Sequence, residues 1–125
     1  MELNDITGDI ISASIFVHKS LGPGLLESVY EKCLQYELID RGFTVDVQIP
    51  VDIKYRGIEF SEAFRADLLV EGKVIVELKS IELIKPVHKK QLLTYLKLMD
   101  LRVGLLINFG EVYLMDGVCR LVNDF

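Results

Sequence analysis

A mixed α/β fold is predicted by three features of the chain. Two helix-periodic segments come first, and a run of strand-patterned segments follows. A further helix-periodic segment then separates two strongly apolar strands. Strands joined through a helix point to a right-handed crossover and a parallel pair, so the sheet is expected to mix parallel and antiparallel neighbours.

The elements follow in order. Ile6, Ile10, Ala13, Ser14, Val17 and Leu21 recur at helical spacing, which predicts a first helix over 6–20. Gly22-Pro23-Gly24 ends it, because proline cannot continue a helix and glycine suits its C-terminus. A second helix is expected over 25–41, burying Leu26, Val29, Tyr30, Cys33, Leu34 and Leu38, with Gly42 as its stop. Strands are expected over 43–49 and 51–56, parted by Pro50, and over 63–70 and 74–80, parted by Glu71-Gly72-Lys73. From Pro86 the chain reads as a helix with Leu92, Leu93, Leu96 and Met99 inward. A strand over 104–109 and a C-terminal hairpin, 111–115 with 118–122 around Asp116-Gly117, complete the order α-α-β-β-β-β-α-β-β-β.

Length and composition set the outer bounds. A chain of 125 residues corresponds to about one domain, taken as 1–125. Half the residues are hydrophobic and about a quarter are charged, the composition of a globular protein. No apolar run approaches the ~18 residues of a membrane span, and the N-terminus does not read as a secretory signal. Cys33 and Cys119 lack a CxxC partner and read as buried, reduced thiols of a cytoplasmic protein. With His18 they form no metal-binding pattern. The net charge of −5 argues mildly against nucleic acid, but residues 79–102 carry six basic and two acidic side chains. That basic segment is either a solvated helix face or a contact surface.

The stretch FRADLLVEGKVIVELKS, residues 64–80, places Asp67, Glu77 and Lys79 inside strand-like sequence. A two-residue loop at Glu71-Gly72 would oppose Asp67 to Val76 and mix charge with aliphatic side chains on both faces. A three-residue loop pairs Val70 with Val74 and sorts them. Leu68 then opposes Val76 and Ala66 opposes Leu78 on an apolar face. On the other face Leu69 opposes Ile75, Asp67 opposes Glu77 and Arg65 opposes Lys79. This register sets two carboxylates about 5 Å apart at Cβ, where their charges repel. A divalent cation reverses that interaction, and Mg²⁺ takes one or two carboxylates together with waters and phosphate oxygens. Lys79 projects on the face of Glu77, where an ammonium can hold a water or stabilise charge on a phosphate. The same four residues would also serve as a solvated cross-strand charge ladder.

Further along, GLLESVY at 24–30 fits Gly-x-x-Glu-x-x-Tyr. With RADL at 65–68, VELK at 76–79 and HKKQLLTYL at 88–96, the chain resembles the GxxExxY family of the PD-(D/E)XK nuclease superfamily, from about Ile6 to Val122. The resemblance implies a restriction-endonuclease-like core, α-β-β-β-α-β, with an extra N-terminal helix and a C-terminal hairpin. It implies a nuclease that uses Mg²⁺ or Mn²⁺, held by Asp67 and Glu77 together with Glu27. Lys79 would be the catalytic lysine, with Gln91 and Tyr95 flanking the site. Ala66 stands where the superfamily name has proline. His88, Gln91 and Tyr95 share one helix face. Alternatively, Gln91 and Tyr95 form a boundary between core and solvent, and His88 is an exposed helix residue. Lys85, His88, Lys89 and Lys90 are the expected nucleic-acid contacts, DNA before RNA. Two other readings keep the fold without turnover: a nucleic-acid-binding module, and a protein-interaction domain that forms a homodimer.

Overall fold

The computed structural model describes residues 2–123. Helices α1 (Leu3–Leu21) and α2 (Glu27–Asp40) precede strands β1 (Val45–Tyr55), β2 (Ile58–Val70) and β3 (Val74–Lys79). Helix α3 (Pro86–Met99), strand β4 (Val103–Asn108), a 3₁₀ turn at Leu114–Gly117 and strand β5 (Val118–Val122) follow. The five strands form one sheet in chain order, antiparallel except for β3 and β4, which run parallel across α3. The expected parallel pair is therefore present, and α2-β1-β2-β3-α3-β4 is the α-β-β-β-α-β core of a restriction-endonuclease-like fold.

The centre of the sheet, at β3 and β4, is buried on both faces, while β1 and the first half of β2 are largely exposed. Ile6, Ile10, Ala13 and Val17 of α1 and Tyr30, Leu34 and Leu38 of α2 pack with Leu68, Val76, Leu78 and Leu105. On the other face Leu92 and Leu96 of α3 pack with Ala66, Ile75 and Leu106. Double coverage explains why β3 and β4 read as near-continuous apolar runs. Gly104 makes room for this layer, since a Cβ there would lie 3.1 Å from Leu92.

Several expectations are corrected. Pro50 does not divide a strand: β1 runs through it, and Pro50 pairs with Arg65. A proline is tolerated here because β1 is an edge strand, where a missing N–H need not break the sheet. β2 begins at Ile58, not near 63, because Arg56 and Gly57 both adopt positive φ, 49° and 88°, and close a two-residue hairpin. The C-terminal hairpin within 111–122 does not form. Residues 114–117 make a 3₁₀ turn, and β5 pairs instead with the open edge of β4. The cause lies at Asn108, whose buried side chain accepts the Gly110 N–H at 3.0 Å and turns the chain immediately after β4. Leu26 and Val29 are exposed rather than buried, as is Leu21. Because α2 starts at Glu27, Leu26 is its N-cap and has no helical face to share. Cys33 and Cys119 are free, as expected, but half-buried rather than buried.

Candidate active site

The β2–β3 hairpin has the three-residue loop. Val70 pairs with Val74, Leu69 with Ile75 and Leu68 with Val76. Glu71 and Gly72 take positive φ, 55° and 63°, and the Lys73 N–H closes the turn on the Val70 carbonyl at 3.0 Å. The paired positions end at Leu68–Val76, one step before Asp67 would meet Glu77.

Side chains take over the hydrogen bonding at that point. Asp67 Oδ2 accepts the Leu78 N–H at 2.8 Å, and Glu77 Oε1 accepts the Asp67 N–H at 3.3 Å. The two carboxyls are adjacent, although the expected strand pairing of Asp67 with Glu77 is not part of the ladder. The rest of the expected ladder is corrected. Because the β2–β3 pairing ends at Leu68–Val76, Arg65 does not oppose Lys79; it pairs with Pro50 of β1 and forms an ion pair with Glu62. Ala66 lies in the α3-side core, not opposite Leu78. The pairing of β1 with β2 passes over Gln48 and Asp67, and Gln48 holds φ at 47°, which breaks the strict alternation of faces.

Electrostatics mark the same pair. Glu77 is only 8% exposed. Burial, and then the neighbouring Asp67 charge, push its carboxyl up to about 9, while Lys79 acts weakly in the other direction. Tyr95 is raised from its ordinary value by burial and by the charges of Glu77 and Asp67, which places its hydroxyl near both. A side-chain hydrogen bond from Gln91 opposes that shift. The ring of Tyr95 stacks on Phe64 of β2, with centroids 3.8 Å apart and planes 4° from parallel. Tyr95 therefore stands near the carboxylates, tied to β2 by an aromatic stack, and Gln91 is hydrogen-bonded to Tyr95.

Helix α2 supplies the opposite wall. Glu27, Ser28 and Glu31 line a cavity of about 120 Å³ together with Gln48, Asp67 and Leu78. Gln48 Nε2 donates to Glu31 Oε1 at 2.6 Å and to Asp67 Oδ1 at 3.3 Å. Burial raises the Glu31 carboxyl, with smaller contributions from the charges of Asp67 and Glu27. Glu31 and Gln48 were not anticipated. The i, i+4 spacing of Glu27 and Glu31 on one helix face was a usable signal. Nothing in the sequence marked Gln48, whose reach depends on its left-handed backbone.

The four basic-segment residues are divided. Lys85, Lys89 and Lys90 are exposed around the start of α3. His88 Nδ1 accepts the Lys85 N–H at 3.0 Å and so caps the helix it sits in.

Among the described residues no group of three or more His, Cys, Asp or Glu is gathered as a ready cation cage. The donor set nonetheless suits a hard divalent ion, which needs only one or two carboxylates and keeps several waters. A buried carboxyl that resists ionisation beside a second carboxylate is the electrostatic condition such an ion relieves.

The chain matches the PD-(D/E)XK nuclease superfamily over residues 4–121 and belongs to it. No curated protein and no solved structure matches. No described helix is long and apolar enough to cross a membrane.

Proposed function

We propose that this protein is a metal-dependent nuclease of the GxxExxY family, one nuclease-like domain spanning 1–125 that hydrolyses phosphodiester bonds of DNA or RNA. The observation that carries this reading is the Asp67–Glu77 pair, set side by side at the end of a strand ladder with Glu77 buried. Both side chains take backbone N–H groups at the end of the ladder, but ionising both there is opposed by burial and by their mutual repulsion, a cost that a bound cation would relieve.

In this reading Asp67 and Glu77, with Glu27 from α2, hold Mg²⁺ or Mn²⁺. When bound, the ion would polarise the scissile phosphate and lower the pKa of a water. Lys79 orients the attacking water and its ammonium stabilises charge that develops on the phosphate oxygens. Gln91 and Tyr95 position Lys79 or the phosphate from the α3 side. Lys85, Lys89 and Lys90 bind backbone phosphates, while His88 acts at that surface and caps α3. Hydrolysis breaks one P–O bond, adds the water oxygen to phosphorus, and delivers a proton to the leaving oxygen.

The test is incubation with single- and double-stranded DNA and RNA in Mg²⁺ or Mn²⁺. Cleavage by wild type and none by Glu77→Ala is expected. Identical products from both proteins, at background level, would end the enzyme reading in favour of a module that binds nucleic acid without turnover.

A further inference from the structure

We propose that the cavity flanked by the α1–α2 connection and the segment after β3 binds one unpaired nucleobase of the strand being cut, preferring bases with an exocyclic amino group. This rests on the nuclease reading. The cavity holds about 540 Å³, within the range of small-molecule sites. It opens at the carboxyl ends of the parallel strands β3 and β4, where ligands of α/β sheets gather. Glu27 lines both this cavity and the small one that contains Asp67. Ser80, the residue after Lys79 and the end of β3, lines it as well. Because Glu27 is shared with the cavity that contains Asp67, one nucleotide can set its phosphate at the carboxylates and its base here.

The walls are fixed before any ligand arrives. Asn108 accepts the Ile81 N–H at 3.0 Å and donates to the Ile81 carbonyl at 2.9 Å. Gly110 approaches so closely that a Cβ there would lie 2.0 Å from the Ile81 oxygen. On the other side Tyr30 accepts the Leu25 N–H at 3.1 Å, and its ring stacks on Phe109 at 4.5 Å. The Ser80 hydroxyl donates to the Leu25 carbonyl and joins the two walls. A rigid cavity spares a ligand the entropy of ordering it.

The lining selects the chemistry. Glu27 and Glu82 are its charged residues, so a phosphate is repelled and a neutral group is favoured. Leu25, Leu26 and Ile81 give apolar surface for the face of a base, and Leu26 is 75% exposed without a packing role. Carboxylates accept hydrogen bonds from amino groups such as cytosine N4, which thymine lacks. A base held here has left its stack and its partner, which favours single-stranded over duplex substrate.

Binding is measured by fluorescence anisotropy in Ca²⁺ with labelled oligomers of deoxycytidine, of deoxythymidine and a duplex. Cleavage is measured separately in Mn²⁺. The single-stranded deoxycytidine oligomer should bind about tenfold tighter than the others. Leu26→Ala should remove most of that advantage, and Glu82→Gln should remove the preference over thymidine, with Mn²⁺ affinity unchanged in both. Equal affinities for all three, unaltered by Leu26→Ala, overturn the subsite even if cleavage occurs. Selective binding without cleavage of any substrate retains the subsite and overturns the nuclease reading. Absence of oligonucleotide binding overturns both.

Discussion

Where the β2–β3 ladder ends, Asp67 and Glu77 each bond to the opposite strand's backbone: Asp67 Oδ2 takes the Leu78 N–H at 2.8 Å and Glu77 Oε1 takes the Asp67 N–H at 3.3 Å. Two acidic side chains thus stand where a sheet would continue its backbone pairing. Hairpin geometry brings them together and burial makes their proximity costly.

That cost has a pH signature in the metal-free protein. Glu77 ionises near 4.5 when unfolded but only at about 9 when folded. The folded state keeps a proton that the unfolded state releases, so stability falls as pH rises through that window. The slope is at most about 1.4 kcal/mol per pH unit for one proton. Glu77→Gln should flatten this dependence and be more stable than wild type at pH 8, read by urea unfolding in EDTA.

Gln48 links Asp67 to Glu31. Gln48→Leu leaves both carboxylates without this donor, and Mn²⁺ affinity should fall roughly tenfold or more. Because Gln48 is exposed, the melting temperature should move little. Isothermal titration together with a thermal melt separates the two effects.

Asn108 is fully buried and holds both Ile81 backbone groups. Asn108→Leu strands those groups without partners and should cost about 2–4 kcal/mol in chemical unfolding. Tyr95→Phe keeps the stack on Phe64 and should change stability by less than about 0.5 kcal/mol. Tyr95→Ala should cost about 2 kcal/mol.

The exposed lysines at the start of α3 should govern salt dependence. Replacing Lys85, Lys89 and Lys90 together with alanine should reduce the slope of log affinity against log salt by about 2.7 for a duplex. Anisotropy over a salt series checks this.

The parts of the fold legible in the sequence were those set by short-range pattern. The three-residue loop at Gly72 followed from the alternation of Leu68, Val70, Val74 and Val76 alone. The α3 crossover followed from its periodicity between two apolar runs. Pro50 misled because its tolerance depends on β1 being the sheet edge, a fact of strand order rather than of local sequence. The last strand misled because Asp116-Gly117 has hairpin chemistry, while the buried Asn108 side chain and the open edge of β4 decide the pairing. In the candidate site, register pointed to the nearness of Asp67 and Glu77, although the ladder stops before pairing them, while Tyr95 and Gln91 came from the family resemblance and helix spacing only set them on one face. Gln48 was not, since its contact depends on a positive φ and on strands that pass over one pair.

The most direct test of the central claim is calorimetric titration of Mn²⁺ into the purified protein. Binding by wild type that is lost in both Asp67→Asn and Glu77→Gln is predicted, with both variants folded by circular dichroism. Absence of binding in wild type, or equal affinity in all three proteins, would contradict the assignment of this pair as a metal site.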